Sequence, residues 1–94
     1  MRVEWHPLAL ADLAELVAYI ANDNPGAAYR IHVDIQKQTD MLAIHPEIGR
    51  PGRIRGTREL VATGTPYIVA YRFVADRLTV LRLLHGARRW PRKL

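Results

Sequence analysis

The sequence predicts an α+β fold of the order β-α-α-β-β-β, a helical hairpin laid across a small antiparallel sheet. Three observations predict it. Apolar residues recur at helical spacing twice before residue 45. After residue 57 they alternate with a period of two, as in strands. The connections within each of these regions are only a few residues long, which favours antiparallel neighbours.

Arg2 to Trp5 is a short strand candidate, ended by His6-Pro7, where Pro7 suits a first helical turn. In LALADLAELVAYIA (Leu8 to Ala21), Ala9, Leu13, Leu16, Val17 and Ile20 form one apolar stripe, with Asp12 and Glu15 off it. Asn22 to Gly26 is a turn, with Asn24 as N-cap and Pro25 at the first helical position. A second helix runs from about Gly26 to Ile44, with Ala28, Ile31, Ile35 and Leu42 on one stripe that Gln38 interrupts. His45-Pro46 stops it.

EIGRPGRIRG (Glu47 to Gly56) reads as a basic loop. Three strands then follow, Thr57 to Ala62, Tyr67 to Val74 and Leu78 to His85, separated by Gly64-Thr65-Pro66 and Ala75-Asp76-Arg77. Tyr67, Val69, Tyr71 and Phe73 are expected under the helices together with Leu81 and Leu83, leaving Arg72 and Arg82 facing outward. The segment from Ala87 to Leu94 is strongly basic and reads as a mobile tail. No repeat, linker or low-complexity stretch divides the chain, so residues 1–94 are expected to form one domain with a modest core.

The charge is unevenly placed. Met1 to Gly49 holds three basic and seven acidic residues, whereas Arg50 to Leu94 holds eleven basic and two acidic ones, Glu59 and Asp76. Ten of those eleven are Arg, the side chain suited to bidentate contact with phosphate or carboxylate. Such a surface attracts polyanions or an acidic protein. A solvated basic face kept for solubility is the plain alternative. With 49% hydrophobic residues the chain is neither disordered nor fibrous. It has no run of 18 apolar residues and no signal-peptide pattern, so a cytoplasmic location without membrane contact is expected. The absence of Cys excludes disulfides, a thiolate nucleophile and Cys-ligated metal. The four His residues include no i, i+4 pair, and neither a metal nor a cofactor is expected. His6 reads as structural at a helix start. Trp5 and Trp90 read as packing residues, and with Trp90 the sole aromatic among the clustered Arg residues the single-stranded nucleic-acid signature is thin.

Several segments together resemble the ParE/RelE superfamily of toxin–antitoxin toxins. They are VEWHPLALADLAELVAYI (Val3 to Ile20), HPEIGRPG (His45 to Gly52), RELVATGTPYIVAYRF (Arg58 to Phe73) and LTVLRLLHGARRWP (Leu78 to Pro91). Their order and spacing carry the resemblance, which spans nearly the whole chain. It implies one of two activities. RelE-type members cut mRNA on the ribosome; ParE-type members inhibit DNA gyrase. The nucleases carry an Arg within a stretch resembling Tyr-Arg-Val-x-Tyr, whereas Tyr67-Ile68-Val69-Ala70-Tyr71 places Ile68 there. They also tend to end the last strand with Tyr, yet no Tyr follows Tyr71, and no Lys lies between Gln38 and Arg92. Guanidinium is a poor base.

The resemblance therefore implies a ParE-like gyrase inhibitor neutralised by a ParD-like ribbon–helix–helix antitoxin, which alone would bind operator DNA. On this reading Arg50, Arg53, Arg55, Arg58, Arg72, Arg82, Arg88, Arg89 and Trp90 form the surface for target and antitoxin, with no catalytic residue. An apolar stripe left on the helices would receive an amphipathic antitoxin helix. The alternative is a RelE-like nuclease, in which Arg58, Glu59, Arg72 and His85 would converge to supply cation, acid and base. The bland readings are a surface ion pair for Glu59 and a strand-end tail anchor for His85. A non-toxic nucleic-acid-binding accessory domain is a third reading and rests on charge alone.

Overall fold

The computed structural model describes residues 1–94. Its elements run β1 (Arg2–Trp5), α1 (Pro7–Ala21), α2 (Pro25–Met41), β2 (Arg50–Pro51), β3 (Arg58–Val61), β4 (Tyr67–Val74) and β5 (Arg77–His85). They build a five-stranded sheet of order β1-β5-β4-β3-β2 with the α1–α2 hairpin packed on it. All neighbours are antiparallel except β1, which lies parallel to β5.

Each helix starts as its sequence dictates. His6 Nδ1 accepts the Leu8 N–H at 3.1 Å, and Pro7 occupies the first turn, where a missing N–H costs nothing. Asn24 Oδ1 accepts the Ala27 N–H at 3.0 Å ahead of α2. Ala9, Leu13 and Leu16 of α1 and Ile35 of α2 face Val69, Tyr71, Leu78, Val80 and Leu83, all buried in one cluster. Gln38, the polar break in the α2 stripe, has a structural task. Its amide exchanges two hydrogen bonds with the backbone of Thr63, at 2.8 and 3.2 Å, and so pins the β3–β4 turn to α2. No helix is long and apolar enough to cross a membrane.

Two expectations need correction. The stretch read wholly as loop contains β2, a two-residue edge strand that pairs with Arg58 and Glu59. The period-two pattern of β5 also breaks. Ala70 pairs with Arg82 but Tyr71 pairs with Val80, so Leu81 is an extra, bulged residue. Val80 and Leu83 thus join the core cluster, while Leu81, though buried, does not.

The tail is anchored at Trp90, while Ala87 to Arg89, Arg92 and Lys93 stay exposed. Ile68 and Ala70 alternate with the helix-facing Val69 and Tyr71, yet both are buried on the sheet's other face. Gly86 lies against the Ile68 side chain there. Trp90 sits under the Arg53 guanidinium, 3.6 Å from ring centroid to Cζ, and its Nε1 donates to the His85 carbonyl at 3.2 Å. Arg53 in turn bonds Glu59, the β-ladder partner of Ala70. The tail therefore crosses the open face from β5 towards β3.

Candidate functional site: the arginine-rich half

The structure divides the Arg residues into those used inside the fold and those left free. At the centre of the first group is Glu59, only 3% exposed. Its Oε1 accepts from Arg50 Nη2 and Nε at 3.0 and 3.3 Å; its Oε2 accepts from the Arg53 N–H at 2.8 Å and from Arg53 Nε at 3.2 Å. Burial alone would raise this carboxyl's pKa. The Arg53 backbone donor and the two guanidinium groups outweigh it and hold the pKa below its ordinary value. The expected surface ion pair is thus a buried, four-bonded carboxylate that binds loop, strand and, through Trp90, tail.

A second anchor shapes the same loop. Tyr71, fully buried, donates its hydroxyl hydrogen to the Pro46 carbonyl at 2.7 Å and accepts the Gly49 N–H at 2.9 Å. Burial is the leading cause that pushes this phenol's pKa up. Arg58 completes the arrangement, donating Nη1 to the carbonyls of Glu47 and Gly49 at 3.2 and 2.8 Å. Its guanidinium lies 5.8 Å from the Phe73 ring centroid.

Arg82 does not face outward. It forms a bidentate pair with Asp12 of α1, at 2.8 and 3.0 Å, and Asp12 Oδ2 also accepts the Leu83 N–H at 3.0 Å. Both side chains are largely enclosed. β1 covers β5 only as far as Val80, so Asp12 caps the edge beyond it. By register Arg82 shares the face of Ala70, and the outward expectation failed because Asp12 takes its guanidinium at this uncovered edge. Arg82→Glu would oppose two carboxylates here, and we expect it to cost about 3 kcal/mol or more. Chemical denaturation should show this as a lower midpoint, with part of the loss recovered in the charge-swapped Asp12→Arg, Arg82→Asp pair.

Arg55, Arg72, Arg88 and Arg89 make no ion pair or side-chain hydrogen bond and are exposed. The fold thus leaves four free guanidinium groups from the nine-residue surface, with Arg50 and Arg53 about half exposed beside them. Arg88 and Arg89 line an open concavity of about 220 Å³ with Asp12, Glu15, Tyr19, Tyr67 and His85. The apolar helix stripes are taken up by the core, but Leu8, Leu10, Tyr19, Tyr29, Met41 and Ile44 remain exposed on or beside the helices.

The four residues of the nuclease alternative do not converge. His85 pairs with Tyr67 at one end of β4, and Arg58 pairs with Tyr71, four residues along. At roughly 3.3 Å per residue this separates them by about 13 Å. Glu59 has its acceptor sites filled by Arg50 and Arg53. His85 Nδ1 accepts the Ala87 N–H at 3.1 Å and its ring meets Tyr67 edge-on at 5.5 Å, as a strand-end anchor of the tail would. Ile68 is buried beside Gly86.

A helical hairpin on a sheet of this order is an architecture found among toxin–antitoxin proteins. A chain described as the chromosomal ParDE toxin–antitoxin system of P. aeruginosa superposes with a TM-score of 0.81 and 26% identity, over 88% of this chain and 92% of that one. The family model for the ParE toxin of the type II toxin–antitoxin system parDE matches residues 3–90. The chain belongs to the ParE toxin family. Y4kP of Sinorhizobium fredii, which carries a toxin's name, is 44% identical over 93 residues, covering 99% of this chain and 96% of that protein. Toxin RelE2 of Caulobacter vibrioides is 40% identical over 88 residues, covering 93% and 97%.

Proposed function

We propose that this ParE-family toxin arrests growth by binding DNA gyrase, and that a ParD-like antitoxin neutralises it by covering the free guanidinium groups. The observation that carries the reading is the failure of Arg58, Glu59, Arg72 and His85 to form one site, while Arg55, Arg72, Arg88 and Arg89 stay exposed and unpaired. Groups held apart in this way can dock on an acidic or phosphate-bearing surface but cannot share a proton-transfer step. The structural relative's belonging to a ParDE system supports an antitoxin of the ParD kind. Exposed Leu8, Leu10 and Tyr19 of α1 suit the apolar side of an amphipathic segment that folds on binding. Operator DNA would be reached through the antitoxin.

One observation favours a second reading. The Caulobacter relative is named RelE2, and the concavity beside His85 contains Tyr67, Glu15 and two Arg residues. An mRNA-cutting site would have to be built there rather than around Glu59.

Co-expression tests the toxin–antitoxin part. The chain alone should stop growth, and a neighbouring ParD-like protein should restore it and co-purify. Replacing Arg55, Arg72, Arg88 and Arg89 together by Glu should weaken that complex at least about 100-fold with the thermal midpoint little changed, since none of the four has an internal partner. Unaltered affinity in calorimetry would place the antitoxin elsewhere.

A further inference from the structure

We propose that the cleft between the β2–β3 turn and the far end of β4 is a phosphate-binding site. Its walls are Pro51, Gly56, Thr57, Arg58, Arg72 and Phe73, enclosing about 270 Å³. β3 pairs with β4 only as far as Tyr71, so the strand margin at Arg72 and Phe73 has no neighbour on that side.

Charge singles this cleft out. Elsewhere guanidinium groups at the sheet are matched by carboxylates: Arg50 and Arg53 by Glu59, Arg82 by Asp12, Arg2 and Arg77 by Glu4. The concavity beside His85 also contains Asp12 and Glu15. No acidic residue lines this cleft, although it holds two Arg residues. Arg58 is pre-positioned, because only its Nη1 is used, on the carbonyls of Glu47 and Gly49. Its Nη2 and Nε are left as a fork for an oxyanion. Arg72 has no internal partner and supplies the second charge. Gly56 adopts φ +81°, and a Cβ built there meets nothing within 4 Å, so the turn leaves the mouth unobstructed. One held cation and one free one, neither paired with a carboxylate, match a phosphate's charge and its several acceptor oxygens.

The inference stands on the cleft alone and holds whichever target the toxin has. Inorganic phosphate is titrated into the isotope-labelled chain and amide shifts are followed by NMR at constant ionic strength. A parallel titration uses a short DNA duplex. Phosphate should shift Gly56, Thr57, Arg72 and Phe73 saturably, and Arg72→Gln should weaken binding about tenfold or more. Arg89→Gln, an equal loss of charge on the tail, should change it less than about twofold. Duplex binding at the same amides, competed by phosphate, identifies a nucleic-acid backbone as the source. Phosphate binding there with no duplex effect identifies a free phosphate group. Shifts spread evenly over the Arg residues of the tail, or equal effects of the two variants, would overturn the proposal. Arg72 has no internal contact to lose, so the amide spectrum of Arg72→Gln should match the parent away from the cleft.

Discussion

Tyr71→Ala is expected to remove about 3–5 kcal/mol of stability, a large part of the ~5–15 kcal/mol that holds a domain of this kind together. The ring is completely buried in the cluster that joins both helices to the sheet, so its loss leaves a cavity that rigid neighbours fill poorly. Tyr71→Phe separates packing from hydrogen bonding. It keeps the ring but leaves the Pro46 carbonyl and the Gly49 N–H without their partner, a loss of about 1–3 kcal/mol. Gly49→Ala attacks the same contact from the other side, because its Cβ would lie 2.7 Å from Tyr71 Cε1 and 2.9 Å from Cζ. Gly49 is needed here for close approach, and overpacking should cost about 1–3 kcal/mol or more. Urea denaturation of the three variants checks the order Ala, then Phe, and shows whether Gly49→Ala is as damaging as the contact requires. A Tyr71→Phe variant as stable as the parent would mean that the hydroxyl does not tie the loop.

Glu59→Gln should also destabilise the fold strongly, and with a local signature. An amide keeps the shape but removes the charge that neutralises Arg50 and Arg53. The expected cost is about 2–3 kcal/mol, below the ~3–5 of a fully enclosed pair, since those guanidinium side chains remain 55% and 45% exposed. Loosening Arg53 should also release Trp90, so the Trp90 indole N–H resonance should move towards its solvent-exposed position. The pH dependence follows from the direction of the pKa shift. The folded carboxyl titrates below its ordinary value of 4.5, so its stabilisation is complete above about pH 4.5 and is lost as acidification passes the lower folded pKa. The parent should therefore lose stability more steeply than Glu59→Gln in that acid window. Parallel slopes would mean that Glu59 is not held ionised by its two Arg partners.

Local rules made most of the fold legible. Asn24-Pro25 and His6-Pro7 mark helix starts because caps and proline geometry act within a few residues. The alternation in β4 reads directly as one face on the helices and one face away. What stayed hidden depends on distant partners. β1 finds β5 seventy-five residues away, and two residues of β2 are too few for any periodicity. The bulge at Leu81 looks like ordinary alternation until β4 is laid beside it.

The candidate site was legible as a class of residue rather than as an arrangement. Arg enrichment after residue 49 marked out one half of the molecule. It gave no means of knowing that Arg82 belongs to Asp12, seventy residues away, or that Arg58 holds loop carbonyls. Glu59 carries one signal that could have been used. It is one of only two acids among eleven basic side chains, and such an isolated carboxylate is well placed to become an internal counter-ion. Gly49, next to Arg50, offered no such sign, because close approach to Tyr71 is a property of the folded chain.

The most direct test of the central claim, that this surface docks and does not cut, is a paired assay of the purified chain. One arm contains gyrase, supercoiled or relaxed plasmid and ATP; the other contains ribosomes programmed with a defined mRNA. The account predicts loss of supercoiling activity or accumulation of linear plasmid in the first arm and intact mRNA in the second. Codon-positioned mRNA cleavage with gyrase unaffected would contradict it.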